Sequence, residues 1–447
     1  MKKKIFKVSI LILLFSIFIL TTCNKKTQIN PHKSVGETLK FLTSKECNGR
    51  LIDTYGNLLT QEFLISSLNS FGLEKLDGTF KDEFKYNYLN MDDISFELGQ
   101  KEFTFGKDFS VNKISNSDLK YPLSTGDTIT NDCIVLLDNV DNLNEFLSDD
   151  IVKGILVKEN NELKPFTPDK MRISDKPMLY VTKDAYQYLV KNLGSVAHIK
   201  GSYTLNEKLD NNIIGLIRGK DAKKAVVLSA HFDHIGSLNN QIFQGAVDNA
   251  SGTTALLEIA KNLSNSTIKE SLNSDIFFAF FNAEEIGKLG SKSFAEKIQN
   301  LYGYENVINI NIDCIGDIDY PTLNIYFSNN NLQKTAKSLI DQLNKKAITD
   351  IIDISNNFSG GSDNIWFENN IYIYVDSRNI HQLKDTIKVV NIKLIEKISE
   401  SITNLILNFP DIWETMRIPE HPDGDSENIR TRNRRHPDTL PASLIVK

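Results

Sequence analysis

Apolar and polar positions fall into three successive textures along the chain. From about Val35 to Leu76 the apolar residues recur at spacings of three and four, as in "VGETLKFLTSKECNGR" and "TQEFLISSLNSFGL". That period predicts helices, and Gly72 stands where a helix C-cap belongs. From roughly Lys85 to Tyr203 the runs are short and β-like: "DCIVLLDNV", "VKGILVKEN" and "KPMLYVTKDAYQYLV", with turn residues between them. From about Asn212 to Phe409 apolar strands alternate with amphipathic helices. "NIIGLIRG", "KAVVLSA", "SDIFFAFFNA", "NVININID" and "NIYIYVD" read as strands. "SGTTALLEIAKNL", "KLGSKSFAEKIQN", "NLQKTAKSLIDQLNKKA" and "VVNIKLIEKISESITNLILNF" read as helices, with Ser251 as a candidate N-cap. This alternation predicts an α/β fold: a mostly parallel mixed sheet with helices on both faces. The helices of residues 35–84 join residues 206–410 in that domain, and residues 85–205 form a smaller β-rich domain inserted into it.

The remaining segments add location. Lys2, Lys3 and Lys4 precede an apolar run to Leu20, then Thr21, Thr22 and Cys23. Residues 1–23 read as a secretory signal resembling that of bacterial lipoproteins, in which Cys23 would be lipidated. The chain is then expected in the cell envelope, anchored by lipid and facing the periplasm or the exterior, with residues 24–34 as a linker. The tail from 411 to 447 has little periodicity and is expected to be poorly ordered. His32, His421 and His436, in linker or tail, are expected to be solvent-exposed.

Composition narrows the partners. With 51 Lys and Arg against 57 Asp and Glu, the net charge is -6, which argues against nucleic acid as a main partner. Cys47, Cys133 and Cys314 are far apart and odd in number, so no disulfide framework is implied and each is expected to be a small buried residue.

The chemistry collects at strand ends. "VVLSAHFDHIG" runs as a strand and then places His231, Asp233 and His234 together. Glu284 and Glu285 follow the next strand, Asp313 ends another, Asp248 opens a helix, and His381 follows the last strand. In an open α/β sheet, ligands bind outside the carboxyl ends of the strands. Carboxylates gathered there repel one another unless cations balance them, and imidazole with carboxylate suits zinc. Two zinc ions about 3.5 Å apart share a bridging water and a bridging carboxylate.

The ordered set "HFDH", "VDNASG", "NAEEIGKLGS", "NIDCIG", "GGSDN" and "HQLKDT" resembles the M28 family of zinc exopeptidases, with "NGR" at Asn48–Arg50 in support. The resemblance implies two zinc ions and a metal-bridging hydroxide. His231 and Asp313 would bind one zinc, Glu285 and His381 the other, and Asp248 both. Glu284 would be the general base, and Asp233 would orient the His231 imidazole. His234 has no ligand position left and is expected to be structural or to support a ligand. A cis peptide between Asp248 and Asn249 is implied as well. Gly360 and Gly361 would shape a loop near the metals, with no direct catalytic part for Ser362. The stretch before His381 lacks the family's frequent Gly-Pro and carries Gln382 and Leu383, which leaves substrate preference open. Residues 85–205, through "GILV" and "PMLYVT", resemble the protease-associated domain. The expected activity is aminopeptidase action on peptides. Glutaminyl cyclase-like or carboxypeptidase-like chemistry on the same fold, or peptide binding without catalysis, are the alternatives.

Overall fold

The computed structural model describes residues 30–408 except 130, 142, 266–271, 346–350 and 356–360. The signal segment, Cys23, His421, His436, Gly360 and the tail lie outside the described residues. Among the described residues one fifteen-stranded sheet runs through the structure, and seven of its strands make the part that carries the site, in the order Ile351–Ser355, Leu323–Phe327, Asn370–Val375, Val307–Asp313, Asp221–His231, Ser274–Phe281 and Val196–Ile217. The central four run parallel, whereas Leu323–Phe327 and Val196–Ile217 join them antiparallel. The mostly parallel mixed sheet expected from the sequence is therefore present.

Strand periodicity explains both faces. Side chains alternate sides along a strand. Ile308, Ile310 and Ile312 enter one core with Leu256 and Ile259 of the helix Gly252–Leu263 and Ile398 and Ile402 of the helix Ile392–Asn408. Val227, Phe277, Ala279 and Phe281 enter the opposite core with Phe294 and Ile298 of the helix Leu289–Tyr302. Full burial of such a side chain contributes about 1.5–3 kcal/mol, so the sheet carries a large apolar surplus against the charged groups at its rim. Cys47, Cys133 and Cys314 are buried free thiols. Among the described residues no helix is long and apolar enough to cross a membrane.

The β-rich region has its own core, built on Phe96, Phe109, Ile134, Leu156, Leu179 and Ile199. It is tied to the main sheet by two long strands, Lys81–Leu98 and Val196–Ile217, paired antiparallel from Lys81↔Ile213 to Leu98↔Ala197. The limits at residues 85 and 205 fall inside these strands.

Three local expectations are corrected. Lys183–Lys191, read within a β-like run, is a helix. The Thr182 hydroxyl accepts from the Ala185 amide and caps it, and Ala185 and Leu189 bury its inner face. Ser251 holds the N-cap position of the helix Gly252–Leu263, but its side chain does not cap it. It is itself helical, with its hydroxyl donating to the Val247 carbonyl and accepting from the Ile315 amide. His32 is buried, not exposed. Its Nδ1 lies 2.6 Å from Thr38 Oγ1 and its Nε2 2.7 Å from Glu258 Oε2, so both ring nitrogens are paired. Gly72, at φ +66°, follows the helix Tyr55–Ser70 and its C-cap Phe71, as the sequence implied.

Candidate metal centre

His231 and Asp313 are the last residues of two adjacent parallel strands, so the sheet itself brings them together. His231 Nε2 lies 3.2 Å from Asp313 Oδ1 and 3.4 Å from Asp248 Oδ1. The Cys314 thiol donates to Asp313 Oδ1. Asp248 sits in the irregular turn Ala246–Ser251 before the helix Gly252–Leu263, and the Asp248–Asn249 peptide is cis. His231, Asp248 and Asp313 form one group of potential ligand atoms, all within 4.8 Å of one another; we refer to it as the strand nest.

A second group shares Asp248. His381 Nε2 lies 2.9 Å from Glu285 Oε2 and 3.2 Å from Asp248 Oδ2. His234 Nδ1 lies 2.9 Å from Glu285 Oε1 and 3.7 Å from Asp248 Oδ2. His234, Asp248, Glu285 and His381 thus form a loop nest of four. All five ligands expected from the sequence come together, in two groups joined by Asp248. His234 lies beside them and hydrogen-bonds Glu285, in keeping with the expectation that it supports a ligand. Imidazole nitrogens and carboxylate oxygens at this spacing suit zinc.

The surroundings hold these groups in place. Asp233 stands beside His231, as expected, and its carboxylate has a second set of partners. Its carboxylate accepts from the amides of Glu284 and Glu285 at 3.1 and 3.2 Å, while its oxygen stands 3.7 Å from His231 Nδ1. That imidazole nitrogen lies closer to the Asp233 backbone carbonyl, at 3.3 Å. The carboxylate therefore also fixes the Glu284–Glu285 turn. Asp385, within "HQLKDT", accepts from the amides of Val247 and Asp248 at 2.7 and 3.2 Å. Asn249 bridges the Ile312 carbonyl and the amides of Gly252 and Cys314. Arg50 is fully buried and donates to the carbonyls of Leu42, Phe232, Gln244 and Gly245. It clamps the two segments that carry His231–His234 and Asp248. Gly49, at φ +71°, passes so close to Gly236 and Phe243 that a Cβ would lie 2.3 Å from a backbone oxygen.

Electrostatics fit a cation site. Burial alone would lower the His231 pKa, yet Asp313 and its neighbouring carboxylates hold it well above the ordinary range. His381 is raised in the same way against burial, chiefly by Glu285. Burial would raise Glu285, but His381 brings it down to about 2. The nests thus stabilise positive charge strongly, the property a divalent cation needs. Burial pushes Glu284 up, and Lys288, with Nζ 3.0 Å from Glu284 Oε1, pulls against that shift. In "GGSDN", Ser362 and Asp363 are buried, and burial raises the Asp363 carboxyl to about 8.

The β-rich region reaches the rim. Glu162 accepts from the Leu383 amide at 2.6 Å, two residues after His381. Leu383 packs beside Leu163, Ile235, Leu238 and Phe243. A cavity of about 520 Å³ lies here, lined by Asn161, Glu162, Arg378, Gln382, Leu383 and Lys384.

Comparison with known proteins agrees with this geometry. Residues 212–406 match peptidase family M28. The chain is 30% identical over 173 residues to aminopeptidase YwaD of Bacillus subtilis, covering 37% of this chain and 34% of that one. It is 33% identical over 114 residues to a glutamate carboxypeptidase 2 homolog of Caenorhabditis elegans, covering 25% and 14%. The chain spans about a third or less of the length of these curated relatives. Among solved structures, the zinc aminopeptidase BSAP from Bacillus subtilis superposes with a TM-score of 0.65 at 18% identity, covering 84% of this chain and 94% of that one. A peptidase M28 precursor from Shewanella amazonensis superposes with a TM-score of 0.61 at 15% identity, covering 84% and 92%. These likenesses support the fold.

Proposed function

We propose that the chain, whose residues 212–406 match peptidase family M28, is a two-zinc exopeptidase that removes N-terminal residues from peptides. One observation carries the reading. Ligand types drawn from separate strand ends and loops converge in two groups that share Asp248, while Glu284 stands beside them outside both. His231, Asp248 and Asp313 would hold one zinc, and Asp248, Glu285 and His381 the other. Bound zinc supplies Lewis acidity toward the scissile carbonyl and lowers the pKa of water.

The chain's own residues do the rest. Glu284 takes a proton from the attacking water and returns it to the leaving amine nitrogen. Burial favours the protonated carboxyl and Lys288 the ionised one, so the opposed influences suit a group that must pass between the two forms. Asp233 fixes the backbone of Glu284 and Glu285, and so the aim of both carboxylates. Leu383, held by Glu162, forms part of the rim over which a substrate would lie.

A carboxypeptidase-type specificity is the second reading. Arg378 and Lys384, at the cavity beside His381, could meet a substrate carboxylate, and a glutamate carboxypeptidase 2 homolog is among the relatives. The deciding experiment strips the full chain with a chelator and restores zinc. It then assays peptides blocked at either end. Cleavage that requires a free N-terminus supports the first reading; cleavage that requires a free C-terminus supports the second. Glu284→Gln is expected to keep its zinc and lose turnover by about 10²–10⁴-fold. Undiminished turnover would remove Glu284 from the role of base.

A further inference from the structure

We infer that the cavity beside His381 selects substrates carrying an acidic side chain on a residue that flanks the scissile bond. The inference rests on the exopeptidase reading above and adds a class of substrate to it.

Charge is the first observation. Of the six residues lining the cavity, Arg378 and Lys384 are cationic and Glu162 is anionic. Glu162 is already engaged, since its carboxylate accepts from the Leu383 amide at 2.6 Å. Among the described residues Arg378 and Lys384 form no ion pair, and both are exposed. The chain as a whole carries a net charge of -6, so the cavity reverses the average sign. A concave site lined by one sign of charge focuses its field on an ion of the other sign. Guanidinium and ammonium groups then hold a carboxylate by charge-assisted hydrogen bonds. Asn161 and Gln382 add uncharged amide donors to the same wall.

The mounting of the two cations is the second observation. Arg378 stands three residues before His381 and Lys384 three residues after it. Arg378 lies between Ser377 and Asn379, whose side chains both donate to Asp317 Oδ2, and the Asn379 amide donates to Ser377 Oγ. Lys384 lies between Leu383, held by Glu162, and Asp385, held by the amides of Val247 and Asp248. The Gln382 amide donates to the Asn379 carbonyl, and the Asp385 amide to the Gln382 carbonyl. One pinned loop therefore presents the candidate metal ligand His381 and both cations.

Reach follows from that shared loop. A substrate whose scissile carbonyl lies at the metal centre places its flanking side chains beside His381, where the cavity opens. About 520 Å³ is ample for the side chain of Asp or Glu. A basic side chain would meet like charge there, and an apolar one would find Leu383 as its only apolar wall among the lining residues.

The test uses the full chain reconstituted with zinc and peptides amidated at the C-terminus, so that a side chain must supply the carboxylate. One series carries Glu or Gln as the first residue, the other carries Glu or Gln as the second. In at least one series kcat/KM for Glu should exceed that for Gln by about tenfold or more, and the ratio should shrink as salt is raised. The series that shows the preference identifies the flanking residue. Arg378→Gln combined with Lys384→Gln should bring the ratio to about one. Glu162→Gln removes the opposing charge but keeps an oxygen for the Leu383 amide, so it should increase the ratio. Opposite shifts from these variants would not follow from a loosened loop. Equal kcat/KM for Glu and Gln in both series, or a preference seen only when the C-terminus is left free, would overturn the inference and leave the exopeptidase reading standing. A zinc-loaded protein that cleaves no peptide, acidic or neutral, would overturn both. The comparison of Glu with Gln in the unmodified protein needs no variant, so a misfolded variant cannot rescue the inference.

Discussion

The strand nest and the loop nest share Asp248 but are fixed by different means. In the strand nest, His231 and Asp313 end neighbouring parallel strands, and the sheet's hydrogen-bond register sets their separation. In the loop nest, Glu285 lies two residues after Ala283, at φ +64°, and His381 has φ +57° itself. Left-handed backbone of this kind is uncommon outside glycine, so those positions depend on supports. Asp233 holds the amides of Glu284 and Glu285, Glu162 holds the Leu383 amide, and Asp385 holds the turn carrying Asp248. One nest is a by-product of the sheet; the other is assembled by buried polar contacts.

Losing the shared residue should have the largest effect. Asp248→Ala should release zinc from both nests and lower activity by about a thousandfold or more, since a metal supplies several kcal/mol of transition-state stabilisation. Zinc content with residual turnover checks this, and retention of both zincs would contradict the sharing. Asp233→Asn should separate the nests. It weakens the support of Glu284 and Glu285, so zinc binding in the loop nest should fall by about 10–100-fold, with the strand nest little changed in the same titration. Equal loss from both would return Asp233 to orienting His231. The smallest effect belongs to Lys288→Met. Its ammonium favours ionised Glu284, so its removal should raise the Glu284 pKa and move the acid limb of the kcat/KM profile to higher pH. An unmoved acid limb would show that Lys288 does not act on the base.

The same contrast explains what could be read from the sequence. Strand ends are legible because an apolar alternation stops abruptly at His231, Glu284 and Asp313, and the parallel sheet follows from the alternation of strands and helices. Asp385 and Arg50 lie within the motifs "HQLKDT" and "NGR", but their roles are not legible there because their partners are backbone amides and carbonyls, which no spacing of side chains reveals. Lys288 left a faint signal, standing four residues after Glu284. His234 was set aside because the expected ligand set was already full. The limits expected at residues 85 and 205 fall inside two long strands that stay paired across a register shift between Met91 and Asp93, so no break in the sequence marks them. The β-rich region's one histidine, His198, meets Asp118 and Glu97 across the sheet, a pairing that sequence distance concealed.

The central claim is that two nests of this chain each hold a zinc ion. Anomalous diffraction at the zinc edge, from crystals of the zinc-loaded protein, tests it most directly. The account predicts two peaks, one bounded by His231, Asp248 and Asp313 and the other by Asp248, Glu285 and His381. A single peak, or zinc bound elsewhere with these side chains turned apart, would contradict it.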